Sequence, residues 1–95
     1  MHIPIPIKIN NIIATSSVEF KLNIERFASL NHFDIDENYP IGVHCRNAKL
    51  NGLVTVFRTG KMISVGTNTV QKAKQDITTI SLLLHKQRSR IEIKP

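Results

Sequence analysis

Cysteine occurs once, as Cys45, so the chain cannot close an internal disulfide and has no cysteine pair at metal-ligand spacing. Its four histidines, His2, His32, His44 and His85, share no ligand spacing either, so no metal site is expected. No apolar run approaches the roughly 18 residues that a membrane-spanning helix needs. The N-terminal stretch sets Pro4 and Pro6 among isoleucines, without the basic region or small-residue cleavage site of a secretory signal. Internal repeats and low-complexity linkers are absent as well. Acidic residues are scarce: seven Asp and Glu face thirteen Lys and Arg, giving a net charge of +6 and a pI near 9.9. Such a balance favours polyanion partners, because each neutralised phosphate releases a condensed counterion. It says nothing about fold.

What remains suits one small domain. Its 95 residues are 41% hydrophobic and 21% charged, enough for a single core. Pro4 and Pro6 keep residues 1–6 extended, since proline fixes its own φ and pushes its predecessor toward β geometry. Ile7 to Val18 then reads as one long strand with apolar side chains on both faces. Asn23 is placed to cap a helix over Ile24 to Leu30, where Ile24, Phe27 and Leu30 recur at helical spacing. Asn31 to Asn38 holds a short strand, and Tyr39-Pro40-Ile41-Gly42 breaks the pattern. Val43 to Asn47 is a further strand. Lys49-Leu50-Asn51-Gly52 carries an Asn-Gly hairpin signal, and Leu53–Phe57 and Lys61–Val65 complete a meander through Thr59-Gly60.

Beyond Gly66 the period changes. Val70, Ala73, Ile77, Ile80 and Leu84 step by three and four, with Asn68 and Gln71 as a capping-box variant. An amphipathic helix of about four turns follows, with Lys86, Arg88 and Arg90 beyond its end suiting the helix dipole. Ile91-Glu92-Ile93 is either a last strand or an ordered tail. The expected class is α+β: an antiparallel sheet of about five strands with two helices on one face.

Two helices cover only one side of such a sheet. The even positions Ile12, Ala14, Val54, Val56 and Met62 suit that side. The odd positions Asn11, Ile13, Thr15, Leu53, Thr55, Phe57, Ile63 and Val65 then share the other, a mostly apolar and uncharged face. A monomeric domain rarely exposes such a patch without a partner for it.

Two segments add a family resemblance. Phe57-Arg58-Thr59-Gly60-Lys61-Met62-Ile63-Ser64-Val65-Gly66 and Asn10-Asn11-Ile12-Ile13-Ala14-Thr15 resemble one repeat of the TATA-box-binding protein (TBP) family, and the similarity extends over about residues 7 to 85. The resemblance implies one half of a curved, saddle-shaped sheet spanning 1–95, with 1–6 as an extended arm and 86–95 as a basic tail or terminal strand. It implies a protein that binds and bends A/T-rich DNA from the minor groove in transcription initiation or regulation, without a cofactor or chemical step. Asn11 takes the place of an Asn that hydrogen-bonds base edges; Ile13 and Thr15 match residues that touch neighbouring bases. Phe57 stands at a wedge phenylalanine, Thr55 where a Leu braces that wedge, and Ile63 and Val65 on the last DNA-reading strand. Arg46, Thr59 and Lys61 fall at phosphate-contact positions, to which charge alone adds Arg58 and Lys49. A transcription-factor-B-like protein is a further partner that the family implies. The expected location is inside a cell with the DNA: the nucleus in a eukaryote, otherwise the cytoplasm or nucleoid.

These residue types suit that ligand. An A·T step presents only acceptors in its minor groove, which one amide donor and smooth apolar surface can meet. An aromatic wedge unstacks a base step at a few kcal/mol, offset by the larger contact that bent DNA allows. The chain departs from the family at Tyr39-Pro40, where a Phe is usual; a phenol pushed into a base stack would lose hydration. One repeat is half a saddle with a bare central edge, and a two-fold homodimer joining such edges would restore the whole. The starting Met and the tail favour a complete small protein over a fragment of a two-repeat one.

Simpler roles compete. Asn11 also fits an edge asparagine bonding backbone, Phe57 a core aromatic, and Arg46, Arg58 and Lys61 a solvated rim. Asp34 and Asp36 read as solvated. His44 and Cys45, adjacent on a strand, point to opposite faces and form no nucleophile pair. The alternative function keeps the fold but uses the open face for protein assembly, or as an accessory module of a nucleic-acid enzyme, as in related modules of repair glycosylases and some ribonucleases H.

Overall fold

The computed structural model describes residues 7–10, 12–38 and 40–94. Among them, six strands form one antiparallel sheet: β1 (Lys8–Asn10), β2 (Ile13–Ser17), β3 (Asp34–Asp36), β4 (Gly42–Cys45), β5 (Leu53–Phe57) and β6 (Lys61–Val65). Their order is β1-β2-β6-β5-β4-β3. Helices α1 (Ile24–Asn31), α2 (Val70–Lys86) and the short α3 (Arg88–Ile91) complete the fold. The α+β class is as expected, with one strand and one short helix added.

Pleating decides what is buried. Ala14, Val43, Cys45, Val54, Val56 and Met62 point to one side and are fully buried. There α2 lies over β2, β5 and β6, while α1 lies over β3 and β4. Ile24 and Phe27 of α1 join Ile77, Ile80 and Leu84 of α2 in that core. Each such side chain contributes roughly 1.5–3 kcal/mol through burial. Ser16 and Ser64 face the same core, and their hydroxyls have no hydrogen-bond partner among the described residues.

The expected long strand from Ile7 to Val18 is instead a hairpin. Asn10 pairs with Ile13, so the chain reverses between them and β1 runs back along β2. Ile12 lies in the turn and is 38% exposed, so it leaves the core-facing set. The physical reason is strand pairing: the returning chain satisfies backbone groups of an otherwise bare strand. The edge of β2 expected to be bare is therefore covered by β1 along Ile13, Ala14 and Thr15.

Helix ends follow hydrogen bonding. Asn23 caps α1 as expected, its Oδ1 accepting the Arg26 N–H at 2.9 Å. The cap of α2 is Thr69 rather than Asn68, with Thr69 Oγ1 accepting the Lys72 N–H at 3.1 Å. The expected hairpin forms between β4 and β5, but Asn51-Gly52 end a longer loop instead of making a two-residue turn. Residues 46–52 form a loop clamped to α2 by the buried Asp76, whose carboxylate accepts the Gly52 N–H at 2.8 Å and the Asn51 N–H at 2.9 Å. Ile91, the last residue of α3, is buried, and the tail after it bridges to the segment before α1, with the Ile93 N–H donating to the Lys21 carbonyl at 2.9 Å. Arg88 sits 4.4 Å over the Phe20 ring and pairs with Glu92, which holds the Glu92 carboxyl below its ordinary range. No described helix is long and apolar enough to cross a membrane.

Candidate nucleic-acid interface

The side of the sheet away from the helices is open. Register sets one row across it: Thr15 pairs with Ile63, Ile63 with Thr55, Thr55 with His44, and His44 with Asp34. Opposed residues share a face, so these side chains lie on one surface. Leu53 pairs with Val65 in the next row. Ile13 is 43% exposed at its margin, and Leu53, Thr55, Phe57, Ile63 and Val65 are half-buried. The structure thus brings Ile13, Thr15, Thr55, Phe57, Ile63 and Val65 together, free of any helix. Asn11 lies outside the described residues, as does Tyr39.

Phe57 owes its position to a glycine. It pairs with Gly42, where an added Cβ would lie 3.1 Å from a Phe57 ring carbon and 2.8 Å from Thr55 Cγ2. The ring therefore rests across bare backbone at the end of β5. The turn that follows closes with Gly60 at φ 94°, its N–H donating to the Phe57 carbonyl at 2.9 Å. Arg58, Thr59 and Lys61 are exposed around this turn. Arg58 is partly committed elsewhere, its guanidinium 3.1 Å from Glu25 at the start of α1. A pair this exposed contributes about 0–1 kcal/mol, so phosphate can compete for it.

Arg46 stands apart from that cluster. It follows β4 at the opposite end of the sheet, beside a shallow depression of about 220 Å³ shared with His32, Asp34, His44 and Leu53. Basic groups consequently flank the open face at both ends. Lys49 does not join them: its loop turns onto the helix side, against Thr79 and Leu83 of α2.

The expectation of an uncharged face needs correction at one flank. His44 Nε2 lies 3.3 Å from Asp36 Oδ2, and Asp34 shares their surface. The signal was in the alternation: Val43 and Cys45 are apolar and buried, which forces His44 outward. His44 and Cys45 do point to opposite faces, and burial pushes the Cys45 thiol far above its ordinary range. Neither serves the other as nucleophile or base.

The family model described as Transcription factor TFIID (or TATA-binding protein, TBP) matches residues 6–87. The chain belongs to the TATA-binding protein family. No curated protein and no solved structure matches it. The sheet and its helices are accordingly one half of a TBP-like saddle, and the chain is TBP-like in its DNA-binding class. Within that TBP frame the open face is the side opposite α1 and α2, bounded by β1 and β3.

Proposed function

We propose that this TBP-like chain binds and bends A/T-rich duplex DNA through the minor groove, in transcription initiation or its regulation, with no chemical step. One observation carries this: an apolar, hydroxyl-bearing sheet face that the helices leave uncovered, with basic residues at both ends. Ile13, Ile63 and Val65 would supply the smooth surface, Thr15, Thr55 and Asn11 the polar contacts, and Phe57 the wedge. Arg46, Arg58, Thr59 and Lys61 would meet phosphates. Two copies would be needed for a full saddle. With β1 on the edge of β2, their seam runs either between β1 strands or between β2 strands after β1 is displaced. A transcription-factor-B-like protein would be a further partner of the DNA-bound form.

The test is a fluorescence-transfer bending assay on an end-labelled A/T-rich duplex at low salt. Expected are a bend and an affinity that falls linearly with log salt, by about 0.9 log units per phosphate contacted. Absence of binding at low salt would overturn the proposal. Asp34 and Asp36, which repel polyanions, favour a second use of the same face in protein assembly. Phe57→Ala separates the two: it removes bending under the first and self-association or partner assembly under the second.

A further inference from the structure

We infer, on the DNA-binding reading above, that the His44–Asp36 pair makes the open face hold DNA more tightly as pH falls. Register sets both groups beside the proposed wedge. Phe57 pairs with Gly42 and Gly42 with Asp36, so one row of the face runs Phe57, Gly42, Asp36. The next row runs Thr55, His44, Asp34. Gly42 has no side chain, so none separates Phe57 from Asp36 in their row. Neighbouring strands lie about 4.7–4.9 Å apart, which puts these two backbones roughly 10 Å from each other. A duplex wedged by Phe57 therefore brings its phosphates within about one Debye length of the pair.

The pair is held in place and only partly screened. His44 Nε2 lies 3.3 Å from Asp36 Oδ2, and the two side chains are 38% and 32% exposed. Asp36 Oδ1 also accepts the Asn38 N–H at 3.0 Å, which fixes the carboxylate just past the wedge row. Nε2 carries the hydrogen aimed at Asp36, so Nδ1 of the neutral ring is a bare acceptor. Proton uptake turns Nδ1 into a second donor and gives the ring a positive charge.

That one proton changes the sign of the flank's response to phosphate. Among the described residues, the charged or titratable groups facing His44 are Asp34 and Asp36 of β3, His32 before it and Arg46 after β4. Strand β5 turns Leu53, Thr55 and Phe57 to this face, and α1 packs on the other. With both imidazoles neutral, two carboxylates oppose one guanidinium and the flank repels DNA; exposed Glu37, just past β3, only adds to this. A proton on His44 cancels the excess. Carboxylates and guanidinium ordinarily keep their charge between about pH 8 and 5, whereas imidazole does not. Phosphate near the ring favours its charged form, so duplex binding draws a proton onto His44. By reciprocity, affinity rises as pH falls through that window.

Fluorescence anisotropy of an end-labelled A/T-rich duplex, at fixed low salt from about pH 8 to about pH 5.5, tests this. The parent should bind about three- to tenfold tighter at the acid end, with a gain that shrinks as salt rises. His44→Gln should flatten the profile, while His32→Gln should keep it. His44→Lys, cationic throughout, should bind at the alkaline end nearly as tightly as the parent does at the acid end. Melting curves at each pH show that every variant is folded where it is assayed. A flat parent profile, or a His44→Gln profile as steep as the parent's, would overturn the inference while leaving the DNA reading intact. Absence of binding at every pH would overturn the DNA reading, and the pH switch with it.

Discussion

Phe57 lies across Gly42 at the end of β5. If Phe57 is the proposed wedge, Phe57→Ala should cost about 1–3 kcal/mol of duplex affinity and abolish the bend, while its half-buried ring should cost the fold less than a core phenylalanine would. Fluorescence transfer reads the bend and circular dichroism the fold. At the other flank, Asp36 sets a negative charge beside His44 on the same surface. Asp36→Asn should raise affinity for A/T-rich duplex by about three- to tenfold at low salt, the gain shrinking as salt rises. A titration at two salt concentrations decides this. On the covered side, Ser64 carries a buried hydroxyl without a partner, and its neighbours are apolar. Ser64→Ala should therefore stabilise the fold, by up to about 1 kcal/mol in urea denaturation.

Elements with strong local signals were legible in the chain: the Thr-Gly turn, the cap at Asn23 and the three-four stepping of Val70 to Leu84 all sit where spacing places them. Most of the open face was legible too, because alternation in β5 and β6 separates Val54, Val56 and Met62 from Thr55, Phe57 and Ile63. The break in the first strand was not. Isoleucines on both sides of the Asn10-Asn11 pair make a hairpin and a long strand look alike, and the pairing that decides between them is a matter of partner strands. Asp76 was hidden for another reason. It sits among Lys72, Lys74 and Gln75, yet its position three beyond Ala73 puts it on the buried stripe, and its partners lie in a distant loop. Removing it frees two backbone N–H donors and unclamps that loop. Asp76→Ala should cost about 1–3 kcal/mol, seen as a lower urea midpoint and faster amide exchange at Asn51 and Gly52.

At the scale of the molecule, the issue is how half a saddle handles its edges. One edge of the sheet is β3, which carries Asp34 and Asp36 and so resists pairing with another strand. The other is β1, a strand of three residues paired to Ile13, Ala14 and Thr15. So short a ladder is easily exchanged for a longer one, and the strand beneath it, β2, spans Ile13–Ser17. If two copies join through β2, β1 must leave first, and its departure sets the association constant. Deleting residues 1–10 should then shift sedimentation equilibrium toward dimer and strengthen duplex binding, with two chains per duplex. If the copies join through β1, the same deletion should leave a monomer and abolish cooperative binding. The direction of that single shift identifies the seam.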